Sequence, residues 1–127
     1  QEKKVLALGA YKNIHEVYNA SDIIISSSAF GEGFSNALGE GMASGLVPIS
    51  TDVGDAKKII ADTGKIISIS NHNEMFEAIK DVINYNDIDL LNNKNNARSR
   101  IKKYYSKEKM VNNYNHIYES ILTDVGK

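Results

Sequence analysis

An open α/β fold, a parallel sheet flanked by helices with a helical C-terminal extension, is the class this sequence predicts. Apolar runs of strand length, "VLALG" (5–9), "DIIISSS" (22–28), "LVPIS" (46–50) and "KIISIS" (65–70), are separated by stretches long enough for a helix or a short helical crossover. That alternation is the pattern of parallel strands joined by crossovers. After residue 70 the strand-like runs stop and apolar residues recur at helical spacing.

The elements follow in order. Each of the four runs is nearly continuous in apolar or small residues, so each reads as a strand buried on both faces. "NIHEVYNAS", "SNALGEGMAS" and "DAKKIIADT" supply the three crossovers. In "NHNEMFEAIKDVINYND", Met75, Phe76, Ile79, Val82 and Ile83 mark one helix face. "NNKNN" (92–96) reads as a loop between helices. The last helix opens at Ser106, a good N-cap residue, and carries Met110, Tyr114, Ile117, Tyr118, Ile121 and Leu122 on a face expected to be buried.

Composition narrows the function classes. The chain has 127 residues, the size of one domain, and its 42% hydrophobic content suffices for a core. With 15 Lys and Arg against 16 Asp and Glu the net charge is -1, which gives no global attraction to nucleic acid. There is no cysteine for a disulfide or thiolate site, and His15, His72 and His116 have no metal-ligand spacing. No run approaches the roughly 20 apolar residues of a membrane span, and the first residues lack the long apolar segment of a signal peptide. A cytoplasmic location is expected. The basic residues Lys94, Arg98, Arg100, Lys102, Lys103, Lys107 and Lys109 read first as a solvated face, with peripheral contact to an anionic membrane as the alternative.

The chemistry concentrates in "FGEGFSNALGEGM" (30–42), which follows a strand and leads into a helix, at the carboxyl end of a parallel strand where open α/β sheets bind ligands. Gly31 and Gly33 permit a tight turn, and Ser35 is placed to cap the helix. The backbone N–H groups of Asn36, Ala37 and Leu38 then form a helix N-terminus with about half a positive charge, suited to a phosphate. Glu32 and Glu40 need a different partner, because an anion beside an anion is unfavourable. Sugar hydroxyls meet that need, each donating a charge-assisted bond worth about 1.5–3 kcal/mol. The spacing of Gly39 and Gly41 departs from a dinucleotide fingerprint, which argues against a nicotinamide site.

"SSSAFGEGFSNALGEGMASGLVPISTDVGD" resembles the donor-site signature of the retaining family 4 (group 1) glycosyltransferases, with Glu32 and Glu40 at the ends of the family's Glu-x7-Glu motif. Gly33, Phe34, Asn36, Met42, Gly45, Pro48, Thr51 and Gly54 extend the match, and the flanks resemble the family's order as well. The resemblance implies a GT-B fold, of which this chain looks like most of the Rossmann-like C-terminal half. On that reading residues 1–127 form a single donor-binding domain, truncated at its N-terminus, with the acceptor-binding domain absent from the chain. Glu32 is the implied catalytic residue and contacts the donor sugar, Glu40 holds the ribose, and the backbone from Gly33 and Phe34 through Ser35, Asn36, Ala37 and Leu38 holds sugar and diphosphate.

The implied reaction is transfer of a sugar from a nucleotide-diphosphate sugar, with retention of configuration, to a saccharide or lipid-linked acceptor, in bacterial cell-surface polysaccharide or glycoconjugate synthesis. No metal or other cofactor is implied, and the partner set contains no nucleic acid. The fragment alone is expected to be inactive and to self-associate through its last helix. Other GT-B enzymes (a glycogen- or sucrose-type synthase, a nucleotide-sugar epimerase) and a non-catalytic nucleotide-sugar binding module stand as alternatives, and a receiver domain is disfavoured because "VLALGAYKN" lacks the acids it needs. Two departures stand out: the family's basic pair has no counterpart in residues 1–4, and Gly41 replaces a usual alanine, at about 0.5–1 kcal/mol of helix stability. Gly31 is an additional residue before Glu32, which leaves both Ser27 and Ser28 open as the serine facing the donor.

Overall fold

The computed structural model describes residues 5–125, and the side chains of residues 5–123. The elements are α1 (Ile14–Asn19), β1 (Ile23–Ser26), α2 (Asn36–Ala43), β2 (Val47–Thr51), α3 (Ala56–Ile60), β3 (Lys65–Ile67), α4 (His72–Ile83), α5 (Asp87–Tyr104) and α6 (Lys107–Val125). The three strands form one parallel sheet in the order β1-β2-β3, with Ile25 opposite Ile49 and Ser50 opposite Ile66.

Alternation of side chains across the strands divides the core in two. On one face Leu38, Met42, Ala56, Ile59, Ile60, Ala97 and Ile101 bring α2, α3 and α5 together over Ile24 and Ile66. On the other, Val47, Ile49 and Ile67 meet Ala78 and Val82 of α4. Leu38, Met42, Ile49, Ile59 and Ile60 are wholly buried, each contributing about 1.5–3 kcal/mol of apolar burial.

The expected fold class holds, with corrections to individual elements. Among the described residues the sheet has three strands, because "VLALG" (5–9) is not one: Val5 is 91% exposed and Leu6 80%. An apolar run becomes a strand only with a hydrogen-bonded neighbour, and β1 pairs with β2 alone. Burial on both faces is true of central β2 but not of β1 or β3, which lie at the edges.

"NNKNN" lies inside α5 instead of forming a loop. The helix is capped by Asn86, whose Oδ1 accepts from the Asp89 N–H at 2.9 Å, and is pinned by a 2.9 Å ion pair between Lys94 and Asp22. Leu90, Ala97 and Ile101 pack into the two cores, so tertiary burial overrides the weak helix propensity of asparagine. Finally, the apolar face of α6 is not buried: Met110, Tyr114, Ile117, Tyr118, Ile121 and Leu122 are all more than half exposed. Ser106 caps α6 as expected, its Oγ accepting from the Lys109 N–H at 3.2 Å.

The helix expected in "NHNEMFEAIKDVINYND" forms as α4, with the side chain of its N-cap Asn71 accepting from the Glu74 N–H at 3.1 Å. Its inward face is Met75, Ala78, Ile79 and Val82, while Phe76 and Ile83 point outward. Gly41 faces β1 so closely that a Cβ there would stand 2.9 Å from Cβ and Cγ1 of Ile24. Its role is therefore to let α2 approach the sheet, beyond the propensity cost expected from sequence. The expectation about residues 1–4 lies outside the described residues.

Candidate functional site

The loop between β1 and α2 carries the acids, and it is held from below by the turn between β2 and α3. Thr51 Oγ1, at the end of β2, donates to the Ser28 carbonyl at 2.6 Å. The Asp55 N–H donates to the Gly33 carbonyl at 3.2 Å. Between these two ties Gly54, at φ +58, lies flat beneath the loop, and a Cβ there would collide with the Glu32 carbonyl. Only glycine accepts both the left-handed backbone and the missing space.

Glu32 is half-buried, and its Oε1 accepts from Ser28 Oγ at 2.9 Å. Of the two serines left open by the sequence, Ser28 is the one bonded to Glu32, while Ser27 lines a separate cleft of about 300 Å³ with Ser68, Ser70 and His72. The additional Gly31 adopts φ +81 in open space at the outside of the loop. Glu40, on the exposed side of α2, accepts from the Tyr18 hydroxyl at 3.4 Å. Tyr18 is buried on α1, and its phenol is pushed above the ordinary tyrosine value by that burial first, then by the Glu40 charge and the hydrogen bond to it. Among the described residues neither Glu32 nor Glu40 forms an ion pair, so most lone pairs of both carboxylates remain available to hydroxyl donors.

The helix end between the two acids is built as follows. Ser35 occupies the N-cap position in extended backbone, and its carbonyl accepts from the Gly39 N–H at 3.0 Å. The expected side-chain cap is not made: Ser35 Oγ accepts no bond from the helix. The leading N–H groups at Asn36, Ala37 and Leu38 are thus left without the hydroxyl that would occupy one of them. Leu38 contributes only its backbone here, because its side chain is fully buried in the core, whereas Asn36 and Ala37 are exposed. Phe34 turns back over α2, with its ring 3.1 Å from where a Gly39 Cβ would stand and its centroid 5.2 Å from that of Tyr105.

A more apolar groove of about 460 Å³ lies beside the helix end, lined by Phe34, Asn36, Tyr105, Met110, Tyr114 and Ile117. The basic run is partly spoken for by the fold. Arg100 Nε and Nη2 donate to the carbonyls of Ile59 and Lys58 at 2.7 and 2.6 Å, closing the end of α3, and Lys94 pairs with Asp22.

Tyr18 escaped the sequence reading as a contributor to the site, and Thr51, named there only as part of the resemblance, was given no role in holding it. Tyr18 sits in a six-residue helix and meets Glu40 only through a contact spanning 22 residues, which no local spacing reveals. A hydroxyl at the end of the central strand was the available signal for Thr51, because that edge is where the ligand-facing loops begin.

Several known proteins are similar to this chain. N-acetyl-alpha-D-glucosaminyl L-malate synthase of Bacillus anthracis is 29% identical over 125 residues, covering 97% of this chain and 32% of that protein. A crystal structure of a glycosyltransferase from Rickettsia africae superposes with a TM-score of 0.79 at 27% identity, over 91% of this chain and 31% of that one. The C-terminal domain of a glycosyl transferase group 1 family protein from Francisella tularensis gives a TM-score of 0.67 at 24% identity, over 81% of this chain and 53% of that one, a likeness of fold. This chain spans about a third of the length of the first two relatives. The parallel sheet, flanking helices and C-terminal helix match GT-B glycosyltransferases. The model of the family described as glycosyl transferases group 1 matches residues 1–85, and the chain belongs to that family.

Proposed function

We propose that this chain is the donor-binding domain of a retaining glycosyltransferase that takes its sugar from a nucleotide-diphosphate sugar. The observation that carries the reading is the sequence of Glu32, the start of α2 without its side-chain cap, and the exposed Glu40 along one loop–helix segment. Glu32 is held by Ser28 and Glu40 by Tyr18, with the N–H groups of Asn36 to Leu38 between them. In this reading Glu32 accepts from hydroxyls of the donor sugar, Glu40 from the ribose diol, and the helix end receives the diphosphate.

As the bond between the sugar's anomeric carbon and the diphosphate oxygen breaks, the electron pair goes to the departing diphosphate. The helix N-terminus is positioned to stabilise that growing charge, and no step calls on a metal. The acceptor hydroxyl attacks the face that the leaving group vacates, which preserves configuration, and its proton passes to the departing diphosphate oxygen. Acceptor binding, the lipid-linked or saccharide nature of the acceptor, a role in cell-surface glycoconjugate synthesis and a cytoplasmic or membrane-peripheral setting all belong to the proposal. The Bacillus anthracis and Rickettsia africae relatives are about three times the length of this chain, which supports assigning acceptor contacts to parts of the protein beyond it, and transfer by this chain alone is not expected.

Calorimetric titration of the folded chain with UDP-, GDP- and ADP-linked sugars tests the reading. The panel includes a nucleotide-linked N-acetylglucosamine, because the name of the Bacillus anthracis relative carries that sugar. Binding of one donor is expected, weakened by about 1.5–3 kcal/mol in Glu40→Ala. Absence of heat with every donor would remove the assignment, and unchanged affinity in Glu40→Ala would remove Glu40 from the ribose.

A further inference from the structure

Glu32 sits on a loop rich in glycine, yet one oxygen of its carboxylate is held by a neighbour that is itself tied to the sheet. Ser28 Oγ donates to Glu32 Oε1 at 2.9 Å, and the Ser28 carbonyl in turn accepts from Thr51 Oγ1 at 2.6 Å. Thr51 is buried at the end of β2. The same turn supports the loop again through the Asp55 N–H on the Gly33 carbonyl and through Gly54 beneath the Glu32 carbonyl. A chain of contacts therefore runs from the central strand, through Ser28, to one oxygen of the acid.

We propose that Ser28 and Thr51 are positioning residues for Glu32. Thr51 sets the place of the Ser28 backbone from the rigid sheet, and Ser28 uses its one proton to occupy Oε1, which leaves Oε2 to accept from a hydroxyl of the ligand. A carboxylate side chain free in solution samples many rotamers, and binding must then select one of them. Held by Ser28, Glu32 is oriented before the ligand arrives. The geometry stands independently of the ligand; its consequence for affinity rests on the donor-binding reading above.

The test uses the 127-residue chain, isotopically labelled, with Ser28→Ala, Ser28→Thr, Thr51→Val and Thr51→Ser. Side-chain scalar couplings of Glu32 report rotamer averaging, and urea denaturation reports stability. A single rotamer is expected in the parent chain, averaged couplings in Ser28→Ala and Thr51→Val, and recovery in Ser28→Thr and Thr51→Ser, which keep the hydroxyl. With the donor found by titration, Ser28→Ala binds about three- to tenfold more weakly and Ser28→Thr within twofold of the parent. Couplings already averaged in the parent chain, or unchanged in Ser28→Ala, overturn the proposal whatever the ligand does. Couplings that respond in a chain that binds no donor uphold the positioning and defeat only the donor reading. Thr51→Val that unfolds leaves Ser28→Ala, a change at a half-buried loop residue, to decide the matter.

Discussion

The hydroxyl of Tyr18 donates to Oε2 of Glu40 across 3.4 Å, joining a helix before β1 to the helix after it. Tyr18 is buried and Glu40 is on the exposed side of α2, so the contact links the interior to the site.

That link makes stability depend on alkaline pH. Burial chiefly, with the Glu40 charge and hydrogen bond adding to it, raises the Tyr18 phenol above its ordinary value near 10. The folded state thus favours the neutral phenol. Its contribution is complete below the ordinary value and is lost as pH rises through the raised one. Urea midpoints of the parent chain should fall more steeply above about pH 10 than those of Tyr18→Phe. In phenolate difference spectra against Tyr18→Phe, Glu40→Gln should move the Tyr18 titration down toward the ordinary tyrosine range. A titration unchanged by Glu40→Gln would show that the carboxylate does not face the phenol.

Gly54→Ala should be the most damaging small change near the site. The left-handed backbone costs an alanine about 1–2 kcal/mol, and its methyl would collide with the Glu32 carbonyl. A loss of at least about 2 kcal/mol in urea denaturation is expected, with displaced amide resonances through residues 31–34. An unperturbed loop in this variant would mean that the β2–α3 turn does not support it.

Gly41→Ala opposes two effects. Helix propensity favours alanine by about 0.5–1 kcal/mol, but a methyl 2.9 Å from Ile24 overpacks a core contact at a cost of about 1–3 kcal/mol. Overpacking wins, so a net loss is expected. A double-mutant cycle with Ile24→Ala should recover part of that loss, as coupling of at least about 0.5 kcal/mol. A stabilised Gly41→Ala chain would show that α2 can rise off the sheet without penalty.

Arg100 ties α5 to the end of α3 with two donors on adjacent carbonyls. A lysine keeps the charge but lacks the planar fork. Arg100→Ala should lose about 1.5–3 kcal/mol and Arg100→Lys a substantial part of it. Equal stability of Arg100→Lys and the parent chain would reduce the role of Arg100 to charge alone.

How much could be read in advance differs between elements. The runs at Ile23–Ser26 and Val47–Thr51 are strands because short β-branched stretches beside crossover-length segments have few other uses in a buried sheet. "VLALG" has the same local character and is not a strand, since pairing depends on a neighbour that local composition does not specify. In α5 the difference runs the other way: Asn92, Asn95 and Asn96 are exposed, and their low propensity yields to the packing of Leu90 before them and of Ala97 and Ile101 after them.

The candidate site divides along the same line. Glu32, Glu40 and the helix starting at Asn36 lie within one stretch of sequence, so their order and spacing were determined by local chemistry: glycine where the loop turns, a serine before the helix, acids on either side. What holds the acids came from elsewhere in the chain. Ser28 draws on Thr51, 23 residues away, Glu40 draws on Tyr18, and Gly54 makes room beneath Glu32. Hydrogen bonds and close approaches between distant segments depend on how strands register and helices cross. Local chemistry was enough for the strand–loop–helix unit and its two carboxylates; their supports, together with the missing Ser35 cap and the exposed face of α6, emerged only in three dimensions, because contacts between distant segments have no local period.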